Sequence, residues 1–176
     1  MKRAFFVLAA ALTFAAQALA EPTRITILHT NDHHGRFWRN ADQEYGLAAR
    51  KRLIDGVRAE VKARGGYVLL LDGGDVNTGV PESDLQQAEP DFKGMSAIGY
   101  DAMAVGNHEF DRTADAMRRQ REWSTFPWLS ANVYQDGRRM FEPYRVFRFG
   151  RLRVAVLGLT TDDTLKTLSR ERFPGV

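Results

Sequence analysis

The chain has 176 residues, 44% hydrophobic and 27% charged, with a formal net charge of +3 and no cysteine. That is the length of one domain, whose core must be held by packing or a bound metal, because no disulfide can form. The positive excess rests on Lys2 and Arg3; without them acids and bases all but balance, which leaves no electrostatic footprint for nucleic acid.

Met1-Lys2-Arg3, the apolar run Ala4 to Ala16 and the small residues Ala18-Leu19-Ala20 have the form of a signal peptide cleaved after Ala20. The run is shorter than the roughly 20 apolar residues a membrane span needs. No stable membrane anchor is therefore expected, and residues 21–176 are expected in the periplasm or secreted. Arg24 to Thr30 alternates like a strand and runs into Asn31-Asp32-His33-His34-Gly35. Leu47, Leu53, Ile54, Val57 and Val61 recur at helical steps, which predicts a helix from Leu47 to Arg64 ended by Gly65-Gly66. Tyr67 to Leu71 is a continuous apolar strand running into Asp72-Gly73-Gly74-Asp75. Strand, helix and strand in this order predict a right-handed crossover in a parallel sheet.

Thr78 to Glu89, with Pro81 inside it, reads as a long polar loop. A helix is expected from Asp91 to Ile98, ending at Gly99. Ala102 to Val105 then reads as a short buried strand that stops at Gly106 and opens into Asn107-His108-Glu109-Phe110-Asp111. A helix from Arg112 to Trp123 follows, and its basic run Met117 to Arg121 reads as a solvated face. Trp128 to Val133 is expected as a fourth strand. Tyr144–Phe149 and Leu152–Leu159, joined at Gly150-Arg151, are expected as a hairpin. Thr160 to Asp163 reads as a turn or helix cap, and the chain closes on Phe173 to Val176 without a terminating element.

Three strands thus end in loops that combine glycine with Asp, His or Asn. In an open parallel sheet the carboxyl ends share one edge, where ligands bind, so these loops should converge. Asn107 offers a neutral amide oxygen to a cation, and His108 can ligate a metal or donate a proton near neutral pH. Asp111 can hold that imidazole in one tautomer or cap the helix from Arg112. His29 reads as a packed strand residue. His33 points away from His34, toward a supporting role or solvent, and Asp72 reads as structural, bonding backbone amides.

Asp32-x-His34, Gly74-Asp75 and Gly106-Asn107-His108-Glu109 resemble the successive motifs of the calcineurin-like metallophosphoesterases. The longer runs Leu28 to Gly35, Gly73 to Ser83 and Gly106 to Asp111 resemble the secreted 5′-nucleotidase family, most closely its bacterial periplasmic UDP-sugar hydrolases. The likeness covers the chain from about Arg24 to Asp163. It implies an α/β fold, the N-terminal half of a four-layer αββα sandwich with a mainly parallel sheet. It also implies two divalent metal ions, with Asp32 and His34 on one, Asn107 on the other and Asp75 bridging them. His108, oriented by Asp111, would face the scissile phosphate. Oxygen and nitrogen ligands without thiolate suit Zn, Mn or Co better than Ca.

Relatives complete these sites with histidines from later loops, in a Gly-His pair and a Gly-His-x-His motif. The four histidines here are His29, His33, His34 and His108. The expectation is therefore a partial catalytic domain over 21–176, without the later ligands or the substrate-holding C-terminal domain. The expected activity is metal-dependent hydrolysis of nucleotides or UDP-sugars. The alternatives are a cyclic-nucleotide phosphodiesterase, a sulfur-oxyanion hydrolase, or an inactive metal- or phosphate-binding fragment.

Overall fold

Four strands pair in chain order and all in parallel: β1 (Ile25–Thr30), β2 (Tyr67–Asp72), β3 (Ala102–Ala104) and β4 (Trp128–Leu129). This computed structural model describes residues 22–39 and 46–176, so the expected signal peptide lies outside the described residues. Among the described residues, no helix is long and apolar enough to cross a membrane. Thr30 lies opposite Asp72, and Asp72 opposite Met103, so the strand ends stand level and their loops open on one edge.

The crossovers contain α1 (Leu47–Ala63), α2 (Pro81–Asp84), α3 (Glu89–Ile98) and α4 (Ala114–Trp123). Strands taken in sequence with crossovers of one hand place their helices on one face. On that face Leu28, Leu70 and Met103 join Leu47, Ile54, Phe92, Met95 and Met117 in a single core. Alternation puts Ile27, Leu69, Ala102 and Leu129 on the other face. Leu69 is only 1% exposed there and Ala102 and Leu129 are also buried, whereas Ile27 at the edge is 58% exposed. Burying Leu69 and Leu70 on opposite faces stabilises the sheet by about 1.5–3 kcal/mol apiece.

The hairpin forms as β7 (Tyr144–Phe149) and β8 (Leu152–Leu157), with Phe149 against Tyr67 at 5.3 Å between ring centroids. Before it lies a smaller hairpin, β5 (Tyr134–Gln135) and β6 (Arg138–Arg139), which the sequence reading passed over. Its turn, Asp136-Gly137, has both residues at positive φ, the geometry that Asp-Gly favours in tight hairpins.

Three expectations need correction, and the one for the C-terminal tail holds with an addition. Thr78 to Glu89 is not structureless, since α2 and a left-handed Gln87-Ala88 pair fold it against α3, with Ser83 and Ala88 buried. Strand β4 ends at Leu129, because Ser130 turns to bond Thr160 and Glu142. The helix α4 is capped by Thr113, whose hydroxyl accepts from the Ala116 N–H, and not by Asp111. The C-terminal tail lies beyond α5 (Thr164–Thr167), yet Phe173 in it is fully buried against Phe110.

Candidate functional site

The loop after β1 is zipped onto the loop after β2 by main-chain hydrogen bonds. Asp32 N–H donates to the Gly74 carbonyl, His34 N–H to Asp75 and Gly35 N–H to Val76, at 3.0–3.1 Å. The zipper holds Asp32, His34, Asp75 and Thr78 at φ of 52°, 47°, 59° and 63°. Side-chain-bearing residues in that left-handed region cost about 1–3 kcal/mol each and persist where surrounding contacts over-determine them.

The loops after β2 and β3 meet more closely still. A Cβ on Gly74 would stand 2.5 Å from the Gly106 nitrogen, and one on Gly106 would stand 2.2 Å from Asp75 Oδ1. Only glycine at both positions allows this approach. As a result the His108 N–H donates to Asp75 Oδ1 at 2.9 Å.

Ligand atoms of His34, Asp75 and His108 all lie within 4.8 Å of one another. The His34 and His108 rings meet edge to face at 4.8 Å. His34 Nδ1–H donates to the Thr78 carbonyl at 2.8 Å, which fixes the tautomer and leaves Nε2 as the lone pair. Asp32 Oδ1 stands 3.6 Å from that Nε2 on the exposed side of the group. Asn107, half-buried, heads the short 3-10 turn His108–Phe110. Nitrogen and carboxylate donors gathered this closely, with their outer atoms already bonded, fit a divalent transition metal.

His108 Nδ1–H donates to Asp111 at 2.7 Å, and the same carboxylate oxygen accepts from the Thr78 hydroxyl at 2.6 Å. The sequence left Asp111 between orienting His108 and capping a helix; its bonds are to His108 and Thr78. Burial of His108 works against its proton, but the Asp111 hydrogen bond and charge, with Asp75 and Glu109 nearby, prevail. Its pKa is raised. Asp72 is structural as expected: it accepts from the Thr30 hydroxyl and the Gly74 N–H, and burial raises its pKa.

Of the remaining histidines, the reading of His29 changes, while His33 takes the supporting role of its two expected alternatives. His29 is exposed, because it shares the open face of edge strand β1 with Ile27. His33 is buried and donates from Nε2 to Asp91 of α3 at 2.8 Å, while Ser83 donates to the other Asp91 oxygen. The residue between Asp32 and His34 is thus tied inward to the helical layer.

Sequence reasoning gave Glu109 no role. It is fully buried and accepts backbone N–H bonds from the loops after both β2 and β3. Burial pushes its carboxyl up to about 7, with the Asp75 charge acting the same way and the Asp75, Val76 and Gly106 N–H groups opposing. A carboxylate placed directly after a ligand motif and before the buried Phe110 was the available signal.

Residues 25–173 match the family described as calcineurin-like phosphoesterase. A 5′-nucleotidase of Vibrio cholerae is 62% identical over 155 residues, which is 87% of this chain and 28% of that protein. Protein UshA of Escherichia coli K12 is 61% identical over the same lengths. The chain therefore spans little more than a quarter of the length of either relative. The solved NAD nucleotidase of Haemophilus influenzae superposes with a TM-score of 0.71 at 28% identity, over 81% of this chain and 27% of that one. With a family match over most of its length, this chain belongs to the calcineurin-like phosphoesterases.

Proposed function

We propose that this chain carries part of the metal-holding site of a phosphoester hydrolase acting on 5′-nucleotides, UDP-sugars or both, exported to the periplasm. The observation that carries the reading is the convergence of three strand-end loops that brings His34, Asp75 and His108 ligand atoms within 4.8 Å. Similarity to 5′-nucleotidases, at 62% identity to the Vibrio cholerae protein, supports the substrate class.

Asp32 and His34 would hold one divalent ion and Asn107 a second, with Asp75 shared between them. Zn, Mn or Co suits these donors. Such a pair, when bound, neutralises phosphate oxygens and lowers the pKa of a bound water. The chain's own part in the chemistry lies with His108. Asp111 fixes its Nδ1, so Nε2 can hold or deliver a proton at the phosphoryl or leaving oxygen. In the metal-free chain the Asp111 hydrogen bond and the charges of Asp111, Asp75 and Glu109 raise the proton affinity of His108.

The test is Mn²⁺ titration of the chain and of Asp75→Asn, followed by assays with a 5′-nucleotide and a UDP-sugar. The expected result is at least tenfold weaker binding in the variant, because a shared anionic ligand is lost. Equal affinity would remove Asp75 from the site. Binding without hydrolysis of either substrate would favour a metal-binding chain over an enzyme.

A further inference from the structure

We infer that Glu109 is the positioning residue of this metal site, holding Asp75 in its ligating conformation without itself touching the metal. The inference rests on the metal reading proposed above and concerns a residue to which that reading gives no part.

Both Glu109 oxygens are taken up by donors. Oε2 accepts from the N–H of Asp75 at 2.9 Å and of Gly106 at 2.8 Å. Oε1 accepts from the N–H of Val76 at 2.9 Å, with the Asn77 N–H and Nδ2 further out at 3.4 Å. Asn77 is in turn fixed by Gln120 of α4, whose Nε2–H donates to the Asn77 side-chain oxygen at 2.7 Å. Every partner of the carboxylate is a donor, and the group is fully buried. No lone pair is left aimed at the cluster of His34, Asp75 and His108.

The donors come from two loops about thirty residues apart in sequence, and they bracket Asp75 on both sides of its peptide. Asp75 sits at φ 59°, a conformation it would leave if unconstrained. Its N–H and that of Val76 are held by Glu109, while its Oδ1 accepts from the His108 N–H. Residues Gly106 to Glu109 therefore grip Asp75 by main chain and side chain together. Glutamine cannot replace this acid, since its amide has only one acceptor oxygen. An NH₂ would face N–H donors either way: in place of Oε2 it would lose the Asp75 and Gly106 bonds, and in place of Oε1 the Val76 bond with the two longer Asn77 contacts. Aspartate keeps the charge but retreats by one methylene.

The experiment measures Mn²⁺ affinity of the full chain by the loss of the free-ion electron-spin signal, with thermal unfolding in chelator alongside. Residues that orient metal ligands typically change affinity by about 10–100-fold when replaced. Glu109→Gln is expected to weaken Mn²⁺ binding in that range, and Glu109→Asp by less. The core variant Ile54→Ala, destabilised but remote, is expected to keep the parent affinity. Parent-like affinity in Glu109→Gln overturns the inference, as does equal weakening in Ile54→Ala. Should Glu109→Gln not fold, Glu109→Asp decides by the same criterion. Failure of both to fold makes Glu109 a determinant of folding and equally overturns the assignment. A parent chain that binds no Mn²⁺ would instead refute the metal reading itself.

Discussion

At the scale of single residues, His108 and Glu109 hold protons more tightly than they would in an unfolded chain. Glu109 is pushed up from 4.5 to about 7 and His108 is raised above 6.5. Both native groups therefore bind more protons than their unfolded counterparts, and stability falls as pH rises wherever that is so. The Glu109 contribution is fully present below 4.5 and is lost between 4.5 and about 7, while that of His108 is lost above 6.5. In chelator, the thermal midpoint of the chain should decline from pH 4.5 to 7. Glu109→Gln, which cannot titrate, should decline less steeply. Parallel curves for parent and variant would mean that Glu109 does not change its charge in this range.

At the scale of elements, the strand ends carry the proposed ligands and the helices anchor the loops that bear them. His33 is the clearest case, because it links the loop after β1 to Asp91 of α3 with both side chains fully buried. Removing one member of a buried hydrogen-bonded pair costs on the order of 3 kcal/mol. His33→Ala should lose about that much in urea unfolding and should loosen Asp32 and His34 with it; a variant as stable as the parent would show the link to be idle. How much of this was legible depends on how local the cause is. Strands β1 and β2, helix α1 and the main hairpin follow from periodicity within one segment. The converging loops follow from parallel topology and were placed correctly on one edge. The partner of His33 was not legible, since Asp91 lies 58 residues away and nothing near His33 names it. Glu109 was missed for the same reason: apart from the Gly106 N–H, its donors belong to a loop that meets it only in three dimensions. The cap at Thr113 was missed because Asp111, an equally good capping residue, stands two positions earlier and is bonded to His108 instead.

At the scale of the whole molecule, one sheet presents two different faces. The helical face is closed over a single core, while on the other face Ile27, at the edge, remains 58% exposed. The candidate site lies at neither face but along the carboxyl ends of β1, β2 and β3, where glycine lets main chains approach and the loops zip together. This placement is the central claim: three loops from successive parallel strands make one metal site around Asp75. The most direct measurement is anomalous diffraction at the zinc edge from crystals of the chain grown with Zn²⁺. The account predicts a peak about 2.0–2.2 Å from both His34 Nε2 and an Asp75 carboxylate oxygen. Zinc bound only at surface carboxylates, with no peak between His34 and Asp75, would contradict it.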